Sequence, residues 1–321
     1  MSARLAAGFS ARTAEANAPA AIRALVEDCQ IAEFGSPDEA MIEGILMTRD
    51  KPGFVPRRDA WMVTRASGGP LAAYGHLGTA DRRHLYAHIY VHPTCAGRGL
   101  GMWLLRQIEA RERERSATSS TAAEAVTLEQ WLAASNQAAH SLLAAAGYAA
   151  ARHLWGMVIA LAGQPSPPIW PDGVSVRVCQ GAADLRRAYA ATEEAFQDHW
   201  HAEARTYEQF IAGTTPELFD PSLWFLATAG DEVIGTALCE AYPSRGWVNS
   251  LGVRRPWRRR GIAIALLRQV FAEFTRRGLR EVALGVDAEN PTGATRVYQR
   301  AGMTIERQYD IFEKVLRGYI R

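Results

Sequence analysis

Three consecutive arginines, Arg258-Arg259-Arg260, run straight into Gly261-Ile262-Ala263. Before them, Leu251-Gly252-Val253 reads as a strand end. After them, Ile262, Leu266, Leu267, Val270, Phe271 and Phe274 recur at helical steps. A turn between a strand and a helix points unpaired backbone N–H groups outward, and the helix dipole adds partial positive charge. The chemistry of such a turn is anion binding. Small residues at 261 and 263 let a diphosphate approach the backbone, and Arg258, Arg259 and Arg260 bring charge to the same ligand. The bland alternative is a solvated basic turn with a packing glycine.

What decides for the anion site is that the pattern occurs twice. Tyr90-Val91-His92-Pro93-Thr94-Cys95-Ala96-Gly97-Arg98-Gly99-Leu100-Gly101 has the same grammar. Val91 matches Val253, Gly99 matches Gly261, and Leu104-Leu105-Arg106-Gln107 matches Leu266-Leu267-Arg268-Gln269, all at an offset of 162 residues. A repeat of half the chain is one domain used twice. The 321 residues leave each copy enough chain for its own core.

These copies must be built from elements that position the turn. The Pro-rich run Gly163 to Pro171 separates an N-terminal domain, 1–162, from a C-terminal one, 173–321, with 163–172 as connector. In the second copy Val174 to Cys179 alternates as a strand, Ala183 to Phe196 has helical spacing, and a shorter helix starts near Thr206. Leu223 to Thr228, Glu232 to Ala241 and Trp247 to Val253 suit an antiparallel meander, with a hairpin turn at Gly230-Asp231. A helix from Gly261 stops at Gly278, and Glu281 to Val286 is the next strand. Asn290-Pro291-Thr292 opens a short helix ended by Gly302, and Thr304 to Val315 is a terminal strand. Strand, helix and strand across 247–286 make a parallel crossover. The first copy repeats the order and inserts a Ser/Thr/Ala-rich loop between 116 and 125.

Composition narrows the class. With 48% hydrophobic and 22% charged residues and a net charge of +2, the chain lacks the basic excess of a nucleic-acid or anionic-membrane binder. An arginine-aromatic grip on single strands around Trp257 is therefore disfavoured. Cys29, Cys95, Cys179 and Cys239 have no paired spacing and read as buried thiols of a cytoplasmic protein, with no metal site. The Ala- and Arg-rich start has no signal-peptide core. It reads as a first strand near Glu15, with a transit peptide as alternative. Gly147, Arg152, His153 and Gly156 interrupt the apolar run Leu142 to Ala162, which reads as core and not as a membrane span.

On these motifs the chain resembles the GNAT acetyltransferase superfamily, whose acyl-CoA motif Gln/Arg-x-x-Gly-x-Gly/Ala is met by Arg258 to Ala263. The resemblance covers nearly the whole chain as two tandem copies, a layout similar to the mycothiol synthases. It implies an α/β fold in which each copy is a mixed sheet flanked by helices and splayed between its fourth and fifth strands. It implies acetyl-CoA as co-substrate, with its arm on Leu251 and Val253 and its pyrophosphate on the N–H groups from Arg259 through Ile262 to Ala263. The family's second element appears in Asn290 to Met303, where Asn290 would contact the arm and Tyr298 would lie near the sulfur. A phenol, protonated at neutral pH, can give its proton to a leaving thiolate. In the first copy Ala96 replaces the motif's Gln or Arg, and Leu143, counted back from Gly147, stands in the place of Tyr298. That copy reads as catalytically retired.

The acceptor is implied to be a primary amine of a small molecule. Mycothiol synthase-like proteins carry a glutamate on the fourth strand. Trp247 stands here instead, which counts against the mycothiol precursor as acceptor. Glu240 on the neighbouring strand is the leading base, with Asp198 or His199 as alternatives. Asp198, His199 and Trp200 end a segment that would border the acceptor, where carboxylates beside aromatic rings suit a cation. A non-catalytic acyl-CoA sensor and an enzyme acting on protein amines are the alternative functions. A monomer with an internal pseudo-dimer and a homodimer are both compatible with the repeat.

Overall fold

The computed structural model describes residues 4–14, 18–48, 53–79, 84–117, 125–202, 204–214 and 218–317. Glu15 and residues 118–124 of the inserted loop lie outside them. The chain forms two compact units, one of residues 1–153 with 308–321 and one of residues 154–307.

In the first unit β1 (Phe9–Thr13), β2 (Ala60–Arg65), β3 (Ala73–Thr79) and β4 (His84–Val91) pair antiparallel in sequence order. Helices α1 (Pro19–Phe34), α2 (Glu39–Met47) and α3 (Pro56–Asp59) lie between β1 and β2 in the chain. Helix α4 (Leu100–Ala117) leads to β5 (Val126–Ala133), which runs parallel to β4, and α5 (Gln137–Ala145) follows. The strand antiparallel to β5 comes from the chain's far end. It is the second half of β12 (Thr304–Arg317), in register from Tyr309 opposite Ala133 to Arg317 opposite Val126. Side chains fasten it. Phe312 joins Leu105, Ile108 and Leu128 in the core. Lys314 Nζ donates to Glu109 Oε1 at 2.8 Å and to the Ala146 carbonyl at 2.7 Å.

The second unit repeats the plan with β7 (Val174–Val178), α6 (Gly181–Phe196), α7 (Tyr207–Ala212), β8 (Trp224–Ala229), β9 (Glu232–Ala241), β10 (Gly246–Val253), α8 (Ile262–Arg276), β11 (Glu281–Asp287) and α9 (Ala294–Arg300). Its meander is β7-β8-β9-β10, and β11 is parallel to β10. The last strand, antiparallel to β11, is the second half of β6 (Ala149–Ala160), from Leu154 opposite Asp287 to Ala160 opposite Glu281. Helix α8 buries Ile262, Leu266, Leu267, Val270, Phe271 and Phe274 against Val248, Val282, Leu284 and Met157. That is the stripe its periodicity predicts.

The sequence boundaries at 162 and 173 therefore differ from the compact units. Each half gives its final strand to the other unit, and the run from Gly163 to Pro171 belongs to the second, where Trp170 packs on the core. A strand's local pattern says that it will pair but not with which edge. The strand set of each unit is mixed and splays at the expected place. The parallel pair β4–β5 ends at Ala87 and Gln130, and β10–β11 ends at Val248 and Leu284. The four cysteines are buried and free. Among the described residues no helix is long and apolar enough to cross a membrane.

Candidate active site in the second unit

Strand β10 pairs with β9 along its length, with a register shift between Val248 and Ser250. It leaves β11 at that shift and runs on to Val253. Beyond Val248 the edge of β10 is no longer paired with β11; this stretch, with half-buried Leu251 and Val253, leads into the turn before α8 and marks the candidate cleft. At that turn Gly261 has φ 83°, a left-handed conformation that a side chain disfavours, and a Cβ built there would meet no atom within 4 Å. Arg259 also has positive φ, 65°. No side chain caps α8, so its first N–H groups stay available to a ligand. Ile262 is buried and pins the helix start, while Ala263 is half-buried behind it.

The arginines divide their work in a way the sequence did not foretell. Arg258 is turned inward, onto the protein's own groups. Its Nε donates to the Val253 carbonyl at 3.0 Å, one Nη to Asp198 at 2.8 Å and the other to the Ala195 carbonyl at 2.9 Å. Arg255 also holds Asp198, and Arg254 holds Glu194 and Glu232. Arg259 and Arg260 are exposed, the latter 4.9 Å above the Trp257 ring.

Asp198 is thus an anchor. The Arg255 and Arg258 guanidiniums hold its carboxyl down to about 2, so it is a poor proton acceptor near neutrality. Next to it, His199 stacks on Phe196 with centroids 4.3 Å apart, and its Nε2 lies 3.5 Å from Asn290 Nδ2. Burial lowers its pKa, which keeps the ring neutral. Phe196 in turn covers Gly252 of β10, where an added Cβ would come within 2.8 Å of Ala195 Cβ and 3.2 Å of the Phe196 ring. Trp200 is half-buried and packs on His201, with centroids 4.1 Å apart.

The remaining residues sit deeper. Tyr298, on α9, is 7% exposed, and its hydroxyl makes no hydrogen bond among the described residues. Burial pushes its phenol up to about 12. Glu240 is buried on β9, accepts from the Tyr242 hydroxyl at 3.0 Å and lies opposite Trp247. Trp247 itself pairs with Ala283 of β11, which puts this pair at the closed end of the cleft. His199 and Asn290 stand at the open end.

The first unit shows what the sequence reading missed. Asn136, the N-cap of α5, donates through Nδ2 to Glu33 Oε1 at 2.7 Å. Asn290 likewise meets a titratable group just past the first long helix of its unit. The signal was Ala134-x-Asn136 against Ala288-x-Asn290, one residue out of step with the later Gly147 and Gly302. Leu143, in the place of Tyr298, is core.

A twice-built mixed sheet, opened beside an uncapped helix and a cationic turn, defines the class: an acyltransferase fold in tandem. The chain belongs to the acetyltransferase (GNAT) family, whose model matches residues 21–148 and again 184–303. It is similar to the mycothiol acetyltransferase of Thermomonospora curvata, 32% identical over 239 residues, covering 74% of this chain and 76% of that protein. With the one from Thermobispora bispora it shares 28% over 295 residues, 86% and 95% of the two chains. Among solved structures, a GCN5-related N-acetyltransferase from Sphaerobacter thermophilus superposes with a TM-score of 0.85 at 38% identity over 98% of both chains. A tandem GNAT protein from the clavulanic acid biosynthesis pathway, at 15% identity, shares the fold with a TM-score of 0.67 over 97% and 99% of the chains. The protein is an N-acetyltransferase by family.

Proposed function

We propose that the protein moves an acetyl group from acetyl-CoA to a primary amine of a small molecule, in the unit of residues 154–307. The observation that carries this reading is the strand edge left free where β10 parts from β11 and runs into the Gly261 turn. Leu251 and Val253 would hold the donor's arm along the free strand edge. Gly261, Ile262 and Ala263 would take its pyrophosphate on backbone N–H groups, with Arg259 and Arg260 supplying charge. The relatives, named as mycothiol acetyltransferases, support a small-molecule acceptor.

The proton steps follow from the side chains. Glu240 takes a proton from the acceptor's ammonium. The amine lone pair then forms the N–C bond, and the C–S bond breaks with its electron pair on sulfur. Tyr298, protonated at any pH below about 12, gives the thiolate its proton. The phenolate recovers one from the amide nitrogen as it sheds its second. The first unit, with Leu143 where the phenol would be, takes no part in this chemistry.

The test is calorimetric titration of acetyl-CoA into the wild type and Gly261→Trp, followed by an amine panel. A non-glycine residue in the left-handed region costs roughly 1–2 kcal/mol, so a melting curve must accompany the variant. One site in the wild type that is lost in a folded Gly261→Trp supports the reading. No binding by the wild type sinks it, and binding without turnover on any amine supports a sensor instead.

A further inference from the structure

Residues 196–199 touch three elements around the candidate site. Phe196 sits on Gly252 of the free strand β10. Asp198 is gripped by Arg255 and Arg258 of the turn before α8. His199 reaches the β11–α9 turn at Asn290. One short segment therefore spans the open end of the cleft.

The hydrogen-bond inventory at Asn290 is constrained. Its Oδ1 accepts from the Thr292 N–H at 2.8 Å and from the Thr292 hydroxyl at 2.5 Å. Turning the amide over would lose the bond from the Thr292 N–H and set two donors against each other, so its NH2 group must face His199 Nε2, 3.5 Å away. An NH2 group only donates. The facing nitrogen of His199 must then carry the lone pair, and a proton there would set two donors against each other. The groups around the ring are Asp287 at the end of β11, Arg258 from the turn and Asp198 beside it. Both carboxylates favour the charged imidazole. Arg258 and, above all, burial oppose it.

We infer that His199 is the positioning residue for Asn290, and that its Nε2 lone pair holds the amide in place to receive the acyl donor's arm. This rests on the reading of the cleft as the acetyl-CoA site. It separates His199 from the proton-transfer step, because the Nε2 lone pair is already engaged by Asn290. Acid then loosens the donor and leaves the chemical step alone.

The experiment is acetyl-CoA affinity by calorimetry from pH 5 to 8, with kcat and KM over the same range, for wild type, His199→Gln and His199→Phe. The wild type should lose affinity as pH falls through an ionisation below the ordinary imidazole range. Glutamine offers an uncharged acceptor, so its profile should be flat with affinity near that of the wild type. Phenylalanine keeps the stacking on Phe196 but has no lone pair. Its affinity should be about 3- to 10-fold weaker at pH 8, the worth of one hydrogen bond, and independent of pH. That deficit should vanish in an Asn290→Ala background. An unaltered affinity and acid limb in His199→Phe would overturn the inference while leaving the donor site standing. A 100-fold fall in kcat of His199→Gln at constant affinity would make His199 a base and overturn it too. A wild type that does not bind acetyl-CoA removes both readings together.

Discussion

Tyr298 carries the sharpest residue-scale consequence. Its hydroxyl has no partner among the described residues, so removing it leaves no donor or acceptor stranded. Tyr298→Phe should melt within about 1 kcal/mol of the wild type and yet lose roughly 10²–10⁴-fold in kcat, the span typical of general acid catalysis. The sign of the pH effect follows from the raised phenol. The acid is present at low and neutral pH and disappears only as pH passes about 12. No alkaline limb from this group should appear in kcat between pH 7 and 10, and a limb near 9.5 that is absent from Tyr298→Phe would refute the assignment. At this scale the sequence was legible where residue type limits conformation, as with the left-handed Gly261 before α8. It was silent where chemistry depends on orientation. Nothing in Arg258-Arg259-Arg260 says that the first of the three turns inward, because the Val253 and Ala195 carbonyls that hold it come from other elements.

At the scale of elements, the meander, α6, α8 and the parallel crossover follow from period-2 and period-3.6 patterns, and their observed bounds lie within a few residues of those read. The loop that ends α6 was recognised as a border of the site, but not as something tied down. Its tie has a pH signature. The carboxyl of Asp198 is depressed in the folded state, so the stabilisation it gives is present above its unfolded value near 4 and is lost as pH falls toward about 2. Asp198→Asn should therefore lower the melting temperature at pH 7. The gap to the wild type should close between about pH 4 and pH 2, and shrink in high salt because the pair is exposed. Thermal melts across that range check it; no gap at pH 7 would show that the Asp198 tie adds nothing, and a gap that does not change with pH would show that its charge is not the cause.

For the whole molecule, the gapless offset of 162 made two copies legible, and the splay in each sheet followed from the family they resemble. The exchange of final strands was not legible. Residues 154–160 are an apolar run and 308–317 mix polar with apolar side chains, and neither pattern names the edge it joins; the pairing with β11 and β5 does. Deleting 308–321 should thus damage the first unit, not the second. It uncovers the edge of β5 and removes Phe312 and the Lys314–Glu109 pair from the core. Limited proteolysis should cut within residues 1–153 of the deletion variant and spare 174–307. Preferential cutting of the latter would contradict the exchange.

The same exchange sets an order of events during biosynthesis. The first unit begins to emerge from the ribosome before the second, yet its closing strand is made only after the whole of the second unit. From the end of β5 at Ala133 to the end of β12 at Arg317, at about 5–20 residues per second, takes roughly 10–40 s. Throughout that time β5 offers an unpaired edge, while the later-made unit can close on Leu154 to Ala160 ahead of it. The half read as retired from chemistry is the half that waits, and chaperone demand in the cell should fall on it.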